Sequence, residues 1–408
     1  PAILRQYQVP LGWIGFSGIL LAPAAFKFLW APWVDRHFSP RLGLARSWIL
    51  PTQLLAVLCL AVLSGFDPQQ LQSPQGLAVF FAGLFLLVMA GATQDIASDG
   101  LNVRLLSPQH RPWGNAVQVV GSRLGQIIGG GGVLLGLGLL GWQPVFALLA
   151  LGVALNTLPI LLYREPVWPN QPRARVGSPV RRQGWAAHWQ TLQMRYGYFW
   201  QAGELRQWLL VLLLCRVGDG LSAGMVKPMM VDLGYSLQTI GVMAGVVGSL
   251  ASLLGALLGA LWLRRLDTGR ALLGLMLLQV TVTAGYGGIW WLHQQGHPPG
   301  AGVVFGFNAL EHLLTAMALI PLLTLAMHYA RPGREGSDYT FQICVLSVLS
   351  GLAHLGSGWL AETLGYALHF LLCTLVGVLM LAPMLRWLPH WQAGGAVRLK
   401  AGLAAVGQ

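Results

Sequence analysis

The chain has 408 residues, of which 55% are hydrophobic and only 9% charged, against roughly a quarter charged in an ordinary soluble domain. Mean hydropathy is +0.61 and apolar segments recur along the whole length, which excludes a soluble enzyme, a disordered chain and a protein with one membrane anchor. A net charge of +12 fits a polytopic membrane protein or a nucleic-acid binder, and the placement of the charges decides between them.

A membrane helix needs about 20 apolar residues to cross the hydrocarbon core. In chain order, eleven segments qualify: 10–31, 47–66, 76–103, 114–140, 143–163, 208–231, 237–263, 271–292, 299–328, 340–364 and 366–388. Their loops alternate in charge. Arg36, Arg41 and Arg46 follow the first span, and Arg104 and Arg111 the third. Seven arginines lie between Arg164 and Arg206. Arg264, Arg265 and Arg270 follow the seventh span, Arg331 and Arg334 the ninth, and Arg386, Arg398 and Lys400 the eleventh. These are 20 of the 25 basic residues, and the intervening loops at 67–75, 141–142, 232–236, 293–298 and 364–365 hold none. The pattern is positive-inside. It predicts a cytoplasmic C-terminus with Pro1 outside, and it assigns the basic charge to topology and anionic lipid rather than to nucleic acid.

An internal repeat accounts for the odd number of spans. The stretches from Pro1 and from Pro228 both reach an Ile-Gly pair, Ile14-Gly15 and Ile240-Gly241, then run through a span into a basic turn. A helix (208–227) precedes Pro228, so one is expected before Pro1, giving twelve helices as six plus six. The expected fold is all-α, in two six-helix halves around a central site, the major facilitator layout. Residues 1–163 hold helices 2–6, 164–207 a cytoplasmic linker, 208–390 helices 7–12, and 391–408 a cytoplasmic tail.

Charges inside a bilayer are costly unless paired or hydrated, which makes each a functional candidate. Asp95 and Asp99 are four apart on one helix face, at the depth of Arg123 on the next span. An Asp95–Arg123 pair is expected there, with Lys27 near enough in depth to join. A structural charge network is the alternative. In the second half, Arg216 and Asp219 share a face near mid-membrane, and Glu311 and His312 lie near the middle of the ninth span. These are helices seven and ten of the twelve, both lining the cavity in this architecture. A carboxylate at that depth suits proton coupling, substrate binding or a structural pair. His354 either lines the same cavity or bonds neighbouring helices. The turn Asp35-Arg36 resembles the facilitators' cytoplasmic signature, whose role is a charge latch between helices.

Other features carry no chemistry. Cys59, Cys215, Cys344 and Cys373 lie within apolar segments without ligand spacing, and read as small buried hydrophobes. The run Gly129–Gly132 lacks the Lys-Ser/Thr of a phosphate loop, and close helix packing is expected of it. The tryptophans cluster partly at span ends, as an interfacial belt does. No metal cluster, catalytic triad or nucleotide motif is present, so neither a cofactor nor an enzymatic activity is expected.

The residues also carry a family resemblance. Phe26-Lys27-Phe28-Leu29-Trp30-Ala31-Pro32 leading to Val34-Asp35-Arg36, with Ala92-Thr93-Gln94-Asp95-Ile96-Ala97 and Gly114-Asn115-Ala116-Val117-Gln118 through Arg123-Leu124-Gly125, resembles the AmpG-like branch of the major facilitators. Pro1-Ala2-Ile3-Leu4-Arg5-Gln6 is similar to the end of helix one in the shorter RhtX/FptX-type permeases. That resemblance implies a monomeric inner-membrane importer of a siderophore, iron-loaded or free and pyochelin-like, working by proton-coupled alternating access. The alternatives are a muropeptide permease of the AmpG type, a drug or metabolite exporter of the same fold, and a membrane receptor without flux.

Overall fold

The structure, a computed structural model, describes residue 20 and residues 22–166 and 185–406. The described residues are helical, and their single β-bridge joins Ser39 to Gly43. Three short elements come first: α1 (Ala22–Phe26), a 3-10 turn (Lys27–Leu29) and α2 (Ala31–Arg36). Long helices follow as α3 (Leu44–Ser64) and α4 (Pro74–Leu105). Next, α5 (Arg111–Gln126) runs through a π-helical segment, Ile127–Gly132, into α6 (Val133–Leu140), and α7 (Trp142–Leu162) returns. Beyond the undescribed stretch lie α8 (Trp185–Tyr196), α9 (Tyr198–Gln201), α10 (Gly203–Leu214) and α11 (Val217–Asp232). A second π-helical segment, Gly241–Val247, connects α12 (Leu237–Ile240) to α13 (Gly248–Trp262). The chain continues through α14 (Thr268–Gln294), α15 (Ala301–Tyr329), α16 (Glu335–Leu379) and α17 (Leu381–Val406).

Nine helices among the described residues are long and apolar enough to cross a membrane. Eight of them match expected spans one to one. The ninth, Glu335–Ala393, holds both the tenth and the eleventh. Gly365 divides it, with φ 72° and ψ 161°, a backbone region open essentially only to glycine. Half of the first expected span, 10–31, lies outside the described residues, as does much of the 164–207 linker. Local signals set several helix starts. The Ser73 hydroxyl accepts from the Gly76 amide at 3.1 Å to cap α4, and Asp267 accepts from the Arg270 amide at 3.1 Å to cap α14.

The chain forms two compact units. The first comprises Pro1–Leu106, Leu124–Gln193 and Ala330–Cys344; the second comprises Ser107–Arg123, Met194–Tyr329 and Val345–Gln408. In the first, α3 packs on α4 and α7 around Leu60, Leu63, Phe80, Trp142 and Phe146, and the Trp142 indole donates to the Leu63 carbonyl at 2.7 Å. In the second, α15 packs on both α13 and α14. Of the apolar window of α15, 61% is buried, which makes it the central helix of that unit. Gly255 permits the α13–α15 approach, since a Cβ there would stand 2.2 Å from the Leu313 carbonyl oxygen. The start of α5 is tied into this unit by Asn115, whose amide donates to the Thr324 hydroxyl at 3.0 Å, and by Trp113, whose ring lies 5.0 Å beneath the Arg264 guanidinium.

Among the described residues, a Cβ added at Gly121, Gly125, Gly129 or Gly130 would meet nothing within 4 Å. The stretch Ile127–Gly132 forms the π-helical segment. Gly136 is the exception, with Val145 2.9 Å from where its Cβ would lie. Elsewhere the large outward-facing apolar residues, such as Leu54, Leu58, Leu155 and Leu254, give the spans a surface suited to lipid.

Candidate functional site

In the second unit, three helices bring polar groups together inside apolar surroundings. Arg216 caps the start of α11, and its Nε lies 3.7 Å from Asp219 Oδ2, one turn on. Asp219 also accepts from Gln279 Nε2 of α14 at 3.1 Å. The same nitrogen donates to Thr315 Oγ1 of α15 at 3.0 Å. One turn before Thr315, Glu311 Oε2 accepts from the Tyr286 hydroxyl of α14 at 2.6 Å. Asn308 Nδ2 reaches that hydroxyl at 3.5 Å. Asp219 and Gln279 line a small crevice with Cys215, Met276, Thr283 and Cys373.

The remaining charges of this unit lie around that layer. Glu311 is within electrostatic range of Asp219 and Lys227. His312 is within range of Arg123 and Lys227, and Arg123 is within range of Arg216. The His312 ring packs on α13, where a Cβ on Gly248 would stand 2.7 Å from it. His354 is exposed; its Nδ1 would lie 3.4 Å from a Cβ on Gly224 of α11.

In the first unit, Lys27 is almost buried and its Nζ donates to Asp95 Oδ2 at 3.4 Å. Lys27, expected at this depth, is thus a partner that this unit supplies to Asp95; Arg123 belongs to the second unit. Asp99, on the same face, is buried and interacts electrostatically with Tyr339. The Trp30 indole donates to Thr93 Oγ1 at 3.2 Å, fixing the turn that carries Lys27.

The first unit also holds a charge cluster where α16 begins. Asp35 is fully buried, and its Oδ2 accepts from the Ser337 amide at 3.0 Å. A carboxylate in that position satisfies an orphan donor and opposes the helix dipole. Arg36 ends α2 with its side chain exposed. Around Asp35, Arg104 Nε donates to Glu335 at 2.9 Å, and Arg331 grips Asp338 through Nε and a terminal nitrogen at 2.6 and 2.7 Å. Nearby, Glu165 Oε2 accepts from the Ala45 amide at 2.9 Å, at the start of α3. Among the described residues no group of three or more His, Cys, Asp or Glu could hold a metal ion.

Sequence reasoning found the charges of these clusters but not their neutral partners. Gln279 offered a signal, since an amide in a membrane span usually bonds across helices. Asn308 offered the same signal as Gln279, whereas Tyr286 offered little, since a tyrosine sits readily in an apolar span. Lys227 was visible as an intramembrane cation without an assigned role. Glu335 and Asp338 lie between the ninth and tenth expected spans, a stretch read only for Arg331 and Arg334.

A sequence model of the Major Facilitator Superfamily matches residues 8–353. The chain belongs to this superfamily. It is a secondary transporter with several membrane passes, and the expected all-helical facilitator fold is the one observed. This facilitator is similar to the anhydromuropeptide permease of Escherichia coli K12, at 29% identity over 377 residues that cover 89% of this chain and 70% of the permease. It is also similar to the putative transporter AmpG 4 of Rickettsia conorii, at 22% identity over 373 residues, 90% of this chain and 86% of that one. Among solved structures it resembles the human organic anion transporter MFSD10, with a TM-score of 0.68 at 19% identity, over 94% of this chain and 93% of the other. That likeness shows the fold alone.

Proposed function

We propose that this facilitator imports an anhydromuropeptide across the bacterial inner membrane by alternating access, driven by protons. One observation carries the reading: the match to the Escherichia coli permease extends over 89% of the chain. It supports the AmpG-type alternative over siderophore import, which rested on the resemblance of the opening residues to the shorter permeases. The chemistry of the polar layer agrees. An anhydromuropeptide presents sugar hydroxyls, amides and carboxylates. The second unit offers the cations Arg216 and Lys227, the Thr283 hydroxyl at the crevice and the Thr315 hydroxyl in one region. A small, mostly apolar aromatic chelate needs few of these.

Coupling is assigned to Asp219 and Glu311, the carboxylates of that layer. Protonation would remove their charge before the rocking of one half against the other carries them past lipid-facing walls. Asp35 and its cluster are assigned to the latch that holds one state closed, and Lys27, Asp95 and Asp99 to the first half's contribution to the pathway. The chain is expected to act as a monomer with its C-terminus in the cytoplasm.

The test is substrate choice. Right-side-out vesicles containing the full-length protein are offered radiolabelled anhydromuropeptide and, separately, radio-iron-loaded pyochelin-like siderophore. Saturable accumulation of the first and not the second is expected. Accumulation of the siderophore alone would return the assignment to iron uptake.

A further inference from the structure

The proton-coupled reading leaves one helix unexplained. α14 contributes no charge to the polar layer, yet it supplies a donor to each of the two carboxylates there. Gln279 and Tyr286 are seven residues apart, two turns and about 10 Å along one helix face. Gln279 reaches Asp219 on α11, and Tyr286 reaches Glu311 on α15. We propose that α14 is a clamp that reads protonation: Gln279 and Tyr286 are positioning residues whose hydrogen bonds reverse direction when the bonded oxygens of Asp219 and Glu311 take up protons.

The direction follows from the donor inventory. An ionised carboxylate only accepts, whereas a protonated one also donates. In the structure a single nitrogen of Gln279 serves both Asp219 and Thr315. Gln279 is the donor in both bonds, with Asp219 Oδ2 the acceptor in one and Thr315 Oγ1 in the other. A half-turn of the amide would put its oxygen in the same place, ready to accept from a protonated Asp219 and from the Thr315 hydroxyl. Gln279 can serve either form without moving its backbone.

Tyr286 needs a second acceptor to do the same. When Glu311 is protonated and donates to the phenol oxygen, the phenol hydrogen must turn elsewhere. Asn308 offers that acceptor. It is buried at 3% exposure, its nitrogen lies 3.5 Å from the Tyr286 hydroxyl, and its Oδ1 has no hydrogen-bond partner among the described residues. A buried, unsatisfied carbonyl is costly and calls for a reason. A half-turn of the Asn308 amide supplies one: it would put that vacant acceptor where the nitrogen now lies, next to the Tyr286 hydroxyl. The fully buried Tyr286 ring stacks near Phe370, centroids 5.5 Å apart, so the hydroxyl rotates while the ring stays.

Other titratable groups facing the pair are Arg216 and Lys227 of α11, His312 beside Glu311, Arg123 of α5 acting through His312, and the thiols Cys215 and Cys373 at the crevice. Arg216 Nε stands 3.7 Å from Asp219 Oδ2, farther than Gln279 Nε2 at 3.1 Å.

This clamp rests on the proton-coupled import proposed above, and the experiment separates the two. Full-length protein in proteoliposomes is assayed for proton-driven accumulation of labelled anhydromuropeptide and for counterflow, in which labelled and unlabelled substrate exchange without net proton movement. The variants are Gln279→Met and Tyr286→Phe, which keep bulk and lose the donor. Accumulation is expected to fall about tenfold in each, the scale of one charge-assisted hydrogen bond, while counterflow stays within about twofold. Accumulation and counterflow falling together would mean that the residues only support packing, and would overturn the clamp. Wild-type accumulation in both variants would overturn it as well. Failure of the wild-type protein to exchange anhydromuropeptide at all would instead overturn the substrate reading on which the clamp rests.

Discussion

Asp219 and Glu311 stand out among the acidic groups because helices that are otherwise apolar bring neutral donors to them. Their charge was legible in the sequence, since a carboxylate within an apolar run is conspicuous. Their partners were not. Distances across helices depend on rotation and depth, which residue spacing within one helix cannot fix. At Asp95, by contrast, equal depth suggested Lys27 as one partner, and the first unit supplies it at 3.4 Å. Asp35 shows a further case, because a motif named the residue and the structure supplied the atom it caps. Replacing Asp35 with Ala is expected to lower stability by about 1 kcal/mol, the usual cost of a lost N-terminal cap, read as a lower Tm in detergent. Asp35→Asn, which retains an acceptor, should recover part of the loss. A second residue-scale prediction concerns Trp387, which is fully buried and stacks on Trp391 with ring centroids 5.7 Å apart. Its indole also donates to the Tyr329 hydroxyl at 3.1 Å. Trp387→Ala should cost about 3–5 kcal/mol, seen as loss of folded protein on gel filtration.

Helices were the easiest elements to anticipate, because length and hydropathy define a membrane span with little else. What the pattern missed was local backbone form. The π-helical segments Ile127–Gly132 and Gly241–Val247 leave no mark on hydropathy, and a glycine run serves a π segment as readily as a packing seam. The break at Gly365 was expected only as a short loop between two spans. Its positive φ means that a side chain there is strained whatever space surrounds it. Gly365→Val should therefore destabilise the chain by about 1–3 kcal/mol, measured by thermal unfolding, whereas Gly356→Ala, in open space on the same helix, should be near neutral. Comparable losses from both would assign the cost to the helix rather than to the turn.

Across the whole molecule, the distribution of arginine is the strongest topological signal, and it needs no structure to be read. It predicts that a single cysteine introduced at Gln70, in the basic-free loop, reacts with a membrane-impermeant maleimide added to intact cells. A cysteine at His110, between Arg104 and Arg111, should react only after the membrane is opened. The reverse pattern would invert the orientation. Substrate, by contrast, was poorly legible. Motifs confined to the first 130 residues placed the branch, but the groups of the polar layer that would meet a substrate lie on α11, α14 and α15, where the resemblance was one of layout alone. The similarity to the Escherichia coli permease runs through that region as well, and so it weighs more than the opening residues.

Proton movement coupled to substrate movement is the measurement that tests the account most directly. Proteoliposomes holding the full-length protein, without an imposed gradient, are given a pulse of anhydromuropeptide in weakly buffered medium. A rise in external pH that tracks saturable substrate entry, and that disappears in Asp219→Asn and Glu311→Gln while protein levels hold, is the predicted result. Saturable entry with no change in external pH would contradict it.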